Sequence, residues 1–160
     1  MTATLLQLLI GIPLGMLAEN AGEWFTHRFI FHGLGKRRGS LWAYHWDDHH
    51  KVCSQNGMVD PGYRQLPLRW NTQGKEAAFL LGVALLHVPL WTFFPGYVAG
   101  MCLALSCYYY KHRRAHLDPE WARTHLPWHW EHHMGGDCDA NWCVTWPWFD
   151  WLMHTSIEGG

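Results

Sequence analysis

The sequence predicts an all-α integral membrane protein, with about three spanning helices and a cytoplasmic helical cap that holds a histidine-rich site for two metals. Two observations support this prediction: three uncharged apolar segments, and a set of histidine motifs outside them. The 160 residues suffice for one domain, and we expect residues 1–160 to form a single membrane domain. The 12 tryptophans suit a membrane interface, whereas a net charge of −1 gives no reason to expect a nucleic-acid partner.

The uncharged segments cover residues 3–18, 77–94 and 97–110. A spanning helix needs about 20 apolar residues, with a lower limit of about 17. The first two segments are near that limit, and the third is long enough only if its tyrosine-rich end lies in the interface. A cleaved signal peptide is the alternative for the first segment. However, no basic residue follows Met1, and "LAENAGEW" is a poor cleavage site, so we expect a retained helix.

The basic residues predict the orientation of these helices. Every lysine and arginine lies either between residues 28 and 75 or between residues 111 and 123. Because basic loops tend to stay in the cytoplasm, we expect the 27–76 loop and the C-terminal region there, with the N-terminus and the turn at residues 95–96 outside. Twelve of the thirteen histidines then lie on the cytoplasmic side, and only His87 lies in a span. The five cysteines form no CxxC pair and are expected to be reduced.

Four histidine motifs, "HRFIFH", "HWDDHH", "HRRAH" and "HWEHH", contain the candidate functional residues. Residues four apart share a face of an α-helix, as His45 and His49 would, and the three histidines of the last motif would face a common point. Ten imidazoles that converge at the membrane surface exceed the three or four that one metal usually takes from a protein, so we expect two metals. The spacing does not identify the metal. The expected ligands are His27, His32, His45, His49, His50, His112, His116, His129, His132 and His133.

Four further residues are expected to support the ligands without binding metal. They would hydrogen-bond a ligand's second ring nitrogen or hold the helices that carry the ligands. These residues are Glu23, Asn141, Asp150 and His154. Glu19, one helical turn before Glu23, has the same option. Asp47, Asp48 and Glu131 would either act in this way or be solvated charges.

Two other histidines are not expected to be ligands. His125 precedes "LP" and should lie at a helix end. His87 lies within an apolar segment, where a neutral ring that is hydrogen-bonded to a neighbouring helix is the simplest account. The basic run at residues 36–38 is expected to contact anionic headgroups.

From "EWFTHRFIFH" through "HWDDHHK", "HRRAH" and "HWEHH" to "NWCVTWPWFDWLMHT", the chain resembles the fatty acid hydroxylase superfamily. These membrane-bound, histidine-rich diiron proteins include sterol desaturases and carotenoid hydroxylases. The last stretch looks like the closing element of the family. Glu23, "HRFIFH" and "FDWLMHT" look most like fatty acid 2-hydroxylases, and bacterial carotenoid hydroxylases are the near alternative.

The resemblance implies an O2-dependent diiron lipid hydroxylase, in which the ten histidines hold two iron ions. It would use O2 and two electrons to functionalise an unactivated C–H bond, most closely in a fatty acyl chain; carotenoid hydroxylation and lipid desaturation are alternatives. Zinc could replace iron in purified protein. Because the sequence has no HPGG-type haem segment, electrons would come from a separate donor of the ferredoxin or cytochrome b5 type. A second copy of the chain could complete the pocket. The alternatives outside this enzyme class are a membrane metal-binding protein without turnover and an inactive relative that serves as a subunit.

Overall fold

The computed structural model describes residues 3–157, and every regular element in this range is helical, which confirms the all-α prediction for the described part of the chain. The termini of the expected 1–160 domain lie outside the described residues. The α-helices are α1 (Ala3–Phe25), α2 (Lys51–Gln55), α3 (Thr72–His87), α4 (Pro95–Ala115), α5 (Pro119–His125), α6 (Pro127–Met134) and α7 (Trp148–Leu152). π-helical turns at Thr26–Leu34 and His45–His50 continue α1 and precede α2, and 3₁₀ turns lie at Pro61–Arg64 and Val88–Thr92.

Helix starts follow local sequence signals. The Asn71 side chain accepts a hydrogen bond of 2.9 Å from the Gly74 amide and so caps α3. The Asp118 carboxylate accepts one of 3.2 Å from the Trp121 amide and caps α5. α4 and α6 each begin with a proline, a residue suited to the first helical position because the amide there has no partner within the helix. These local signals fix where α3, α4, α5 and α6 begin.

Helices α1 and α4 pack closely through glycines. Gly11 and Gly15 on α1, and Gly96 and Gly100 on α4, each lie against the backbone of the other helix, and the two glycines of each helix are four residues apart. A Cβ atom on Gly11 would lie 2.7 Å from the Tyr97 backbone nitrogen, so a side chain there would force the two helices apart. Small residues at this spacing allow close backbone approach between membrane helices. The contact fixes the relative position of the two helices that enter the histidine-rich end.

Two helical stretches, Leu5–Leu34 and Thr72–Thr92, are long and apolar enough to cross a membrane. They contain most of the first two predicted segments, whereas the third predicted segment lies in α4, which is not one of the two. The outward side chains of α1 and α3 are mainly leucines, among them Leu9, 57% exposed, and Leu86, 78% exposed. Large exposed apolar surfaces of this kind are typical of contact with a membrane or a partner.

The buried core lies around the histidines, away from the exposed leucines of α1 and α3. The apolar residues that pack there come from the 51–60 region, α4, α5, the residue between α5 and α6, and the 140–145 segment: Met58, Tyr108, Ala115, Ala122, Leu126 and Val144. The apolar helices therefore expose their leucines, and the histidine-rich end forms the packed interior.

Candidate metal centre

All ten motif histidines are buried, and the structure brings them together in two adjacent clusters. In each cluster the ligand atoms of four histidines lie within 4.8 Å of one another. A fifth ring joins each set: the Nε2 atoms of His45 and His27 are 3.0 Å apart, and those of His129 and His116 are 3.2 Å apart. Cluster A consists of His27, His32, His45, His50 and His132, and cluster B of His49, His112, His116, His129 and His133.

The two clusters touch through stacked imidazoles. The ring of His50 in cluster A stacks on that of His133 in cluster B, with centroids 4.3 Å apart and an interplanar angle of 25°. The neighbouring residues His49 and His50 supply different clusters from one helical turn. Two ions held at these clusters would therefore be close neighbours.

The π-helical turns explain how the histidines divide. His27 and His32, and likewise His45 and His50, are five residues apart, and a π-helix aligns residues at that spacing because it closes hydrogen bonds from i to i+5. The rings of His45 and His49 are neighbours, as expected, with centroids 5.3 Å apart, but they join different clusters. The three histidines of the last motif also lie together, with ring centroids 4.7–6.2 Å apart, but His132 joins cluster A while its two neighbours join cluster B.

Backbone carbonyls orient three of the rings. The Nδ1 atoms of His27, His132 and His116 lie 2.5, 2.7 and 2.9 Å from the carbonyl oxygens of Trp142, Ala140 and Met58, respectively. A carbonyl can only accept, so each Nδ1 carries the proton and donates it. The Nε2 atom of each ring, which faces its cluster, is left with a lone pair, the form in which imidazole binds metals.

Carboxyl groups orient three more rings. Asp139 lies 3.2 Å from His32 Nδ1, and Asp60 lies 3.1 Å from His49 Nδ1. Glu76 accepts from His112 Nδ1 at 2.8 Å and also from the Tyr63 hydroxyl. A carboxyl group behind a ligating histidine fixes the tautomer and increases the basicity of the ring.

The ring nitrogens inside the clusters have a spacing that fits a shared cation. His112 and His116 both donate through Nδ1, yet their Nε2 atoms, each with a lone pair, lie 3.1 Å apart. Two nitrogens about 2.1 Å from one metal and at right angles to each other lie about 3.0 Å apart. The Nε2 atoms of His32 and His50 show the same spacing, 3.0 Å. Both ring nitrogens of His133 are buried, and neither has a hydrogen-bond partner in the described part of the chain. These residues therefore fit one metal in each cluster.

Burial also keeps the rings in the neutral form. Loss of water around the charged imidazolium lowers the pKa of His50, His116 and His133 well below the ordinary value, and lowers that of His132 to about 4. Near neutral pH these rings can therefore bind a cation without first losing a proton.

The residues that the sequence nominated as supports hold the closing segment in place. Glu23 accepts hydrogen bonds from the Val144 amide and from the Thr145 amide and hydroxyl, the last at 2.6 Å. The Asp150 carboxylate accepts a hydrogen bond of 2.9 Å from the Trp142 amide. The carbonyl of the same residue, Trp142, accepts from His27. Asn141, with a positive φ of 55°, exchanges hydrogen bonds with the backbone of Ile157. These three residues act on the ligands through the 141–157 backbone, and none of the hydrogen bonds named here reaches an imidazole.

The remaining nominated residues lie apart from both clusters. His154 is exposed, and His125 ends α5 with its ring stacked on Trp121. His87 Nδ1 donates to the Val83 carbonyl at 2.8 Å, so its bond is within its own helix and the expected partner in a neighbouring helix is wrong. Asp47 and Asp48 are exposed, Glu131 is half-buried, and Glu19 is buried in α1 without touching a ligand.

Sequence reasoning missed the three carboxyl groups that contact the histidines. Glu76 gives a recognisable signal, because it is the one acidic residue of helix α3 and directly precedes its apolar stretch. Asp60 lies in a turn before "PG" and Asp139 in a loop, where acidic residues are common. Only the tertiary structure connects these two residues to His49 and His32.

A cavity of about 260 Å³ runs between α1, α3 and α4 and ends at cluster A. Its walls extend along Ala18–His27, Glu76–His87 and Tyr97–Tyr108. At a rise of 1.5 Å per residue these stretches correspond to a length of about 14–16 Å. His27 and Glu76 form the inner end of the cavity. An elongated ligand in it would therefore reach the histidines from the apolar half of the molecule.

In a comparison with known families, the model for fatty acid hydroxylases matches residues 12–155. The chain belongs to the fatty acid hydroxylase family. No curated protein and no solved structure gives a significant match. Family membership indicates an oxidoreductase of the lipid hydroxylase and desaturase superfamily, and with the two apolar helices it suggests a membrane protein. The histidine clusters are compatible with metal binding in such a protein.

Proposed function

We propose that the protein is a membrane-bound diiron oxygenase that hydroxylates an unactivated C–H bond of a lipid, most closely a fatty acyl chain, with O2 and electrons from a separate donor. The observation that carries this proposal is the pair of five-histidine clusters in contact with each other, with an apolar cavity that ends at one of them. A site for metal storage has no need of a cavity for a lipid chain.

In this proposal each cluster holds one iron ion, and its five imidazoles are the protein ligands. Bound iron supplies the redox chemistry with O2 that acid and base groups cannot perform on an unactivated C–H bond. The chain contributes the orientation of the rings, since carbonyls and carboxyl groups hold the Nδ1 atoms and direct the Nε2 atoms inward. Burial keeps water away from the reacting lipid.

The cavity would bind the acyl chain. Leu80 and Val83 on α3 and Met101 and Leu105 on α4 give it an apolar wall, and His27 lies at its end. An acyl chain that enters from the bilayer would thus place one carbon beside cluster A.

We further propose three spans, formed by α1, α3 with its 3₁₀ extension, and α4, with the N-terminus outside and the histidine-rich end in the cytoplasm. The basic residues that follow α1 and end α4 support this orientation. A soluble donor of the ferredoxin or cytochrome b5 type would then deliver electrons at the cytoplasmic end. A second copy of the chain would complete the cover of the cavity.

A carotenoid ring hydroxylase and a lipid desaturase would use the same two clusters, so the product must distinguish these alternatives. The deciding experiment starts from detergent-purified protein that is reconstituted with Fe(II) under anaerobic conditions. After metal analysis, the protein receives O2, membrane lipid extract and a reduced ferredoxin, and products are identified by mass spectrometry. A lipid heavier by one oxygen atom supports hydroxylation, and one lighter by two hydrogen atoms means desaturation. Iron-loaded protein that reoxidises the ferredoxin without changing any lipid would contradict the proposal.

A further inference from the structure

Glu19 is one of three carboxyl groups that line the cavity, together with Glu23 and Glu76. Glu19 is 4% exposed and lines the cavity, and its Oε2 atom is enclosed without a hydrogen-bond partner among residues 3–157. Buried carboxyl groups normally find partners because an unsatisfied polar atom in an apolar environment is costly. A partner that enters with the ligand would remove this cost.

The contrast with Glu23, one turn further along α1, shows that the environment of Glu19 is not a general feature of this helix. Glu23 also lines the cavity, but Val144, Thr145 and Asn20 all donate to its carboxyl oxygens. Its hydrogen-bonding capacity is used in holding the closing segment. Glu76 also has one enclosed oxygen without a partner among the described residues, but its other oxygen accepts from His112 and Tyr63. Among the described residues, neither carboxyl oxygen of Glu19 accepts a hydrogen bond.

The surroundings of the cavity restrict what Glu19 could bind. Leu80, Val83, Met101 and Leu105 line the same cavity and offer no side-chain hydrogen bond. At the far end, His87 already uses Nδ1 to bind its own helix. Thr26 and Tyr108 also line the cavity and carry hydroxyl groups. A hydroxyl group is neutral, so it enters an enclosed cavity at a lower desolvation cost than a cation, and it can both donate to Glu19 and accept from a wall residue.

We propose that Glu19 binds a hydroxyl group carried by the lipid substrate, and so selects hydroxyl-bearing lipids over plain hydrocarbon chains. The inference rests on the proposed function, because it takes the cavity as the substrate site. Glu19 precedes His27 by eight residues, which places it about 12 Å further along the helix. The cavity would therefore favour substrates in which the hydroxyl group lies about 12 Å from the carbon beside cluster A.

The test compares dodecan-1-ol with tridecane, in which a methyl group replaces the hydroxyl. Equilibrium dialysis of the purified protein in detergent, without reductant, gives the affinity of each probe by gas chromatography and mass spectrometry of the bound fraction. Because no turnover is required, the result is independent of whether the protein hydroxylates lipids. The measured quantity is the alcohol-to-alkane affinity ratio of each variant in the same detergent, so that partition into micelles cancels between variants.

Glu19→Leu and Glu19→Ala are expected to lower this ratio by about three- to tenfold relative to the wild type, the effect of one hydrogen bond. Glu19→Gln keeps a polar group and should retain most of the preference. Val83→Leu, in the same wall, should change both affinities together and leave the ratio unaltered. A ratio that is the same in the wild type, Glu19→Leu and Glu19→Ala would overturn the proposal, as would an equal fall in Val83→Leu.

Discussion

Clusters A and B contain the same number of imidazoles but differ in the groups that accept hydrogen bonds from their Nδ1 atoms. In cluster A, the carbonyls of Trp142 and Ala140 orient two rings, and the carboxylate behind His32 belongs to Asp139, which is 54% exposed. In cluster B, the carboxyl groups of Asp60 and Glu76 are each 7% exposed. Cluster A therefore depends on the closing segment of the chain, and cluster B on buried acidic side chains.

This difference predicts unequal metal affinities. A buried carboxyl group that accepts from Nδ1 makes the ring a stronger ligand, whereas solvent screens an exposed one. We expect cluster B to bind its metal more tightly and cluster A to lose its metal first. The closing segment would then be the part of the fold most dependent on metal.

The largest expected effect comes from His49→Ala and His50→Ala. These adjacent residues serve different clusters, so each variant should retain about one of two irons, measured by metal analysis after anaerobic reconstitution. The iron left in His50→Ala, held in cluster B, should resist a chelator longer than the iron left in His49→Ala. His125→Ala and His154→Ala are the controls and should retain both irons. Equal chelator resistance in the two variants would remove the distinction between the clusters.

The second prediction compares the acidic supports. Asp60→Asn should weaken metal binding at cluster B by about 10- to 100-fold, because it removes a buried carboxylate from His49. Asp139→Asn should weaken cluster A less than Asp60→Asn weakens cluster B, since solvent already screens that carboxylate. Metal affinities from competition with a chromophoric chelator provide the comparison. If Asp139→Asn lowers metal affinity more than Asp60→Asn does, solvent exposure does not determine how much a carboxylate contributes to metal binding.

The third prediction concerns the frame that joins the two clusters. α1 continues into the turn that carries His27, and α4 carries His112, so the glycine contact between the helices sets the spacing of the clusters. Gly15→Ala should lower the free energy of unfolding by about 1–3 kcal/mol, because its Cβ would meet the backbone of α4. Gly82→Ala, where a Cβ meets nothing within 4 Å, is the matched control. Unfolding midpoints in detergent that are equal for Gly15→Ala and Gly82→Ala would contradict the close contact between α1 and α4.

The smallest effect is expected for Lys36→Met. Lys36 Nζ lies 2.6 Å from Asp139 Oδ1 in an exposed ion pair, which typically contributes at most about 1 kcal/mol. Iron affinity at cluster A should change by less than about threefold in the chelator assay. A loss as large as that of Asp60→Asn would mean that Lys36 holds His32 in place through Asp139.

The sequence was enough to predict the helices and the convergence of the ten histidines, because apolar segments and histidine spacing are local patterns. It did not predict how the histidines divide, since the π-helical turns at Thr26–Leu34 and His45–His50 change the period that an α-helix implies. The roles of Asp60 and Asp139 depend on contacts between distant segments and leave no local signal. The role of the histidines as ligands stays a prediction, and so does the count of three spans.

Anaerobic titration of the wild-type protein with Fe(II), with protein-bound iron measured per chain, tests the central claim most directly. Two five-histidine clusters with unequal supports predict about two irons per chain, bound in two steps of different affinity. Saturation at one iron per chain, or no specific uptake, would contradict a centre built from two clusters.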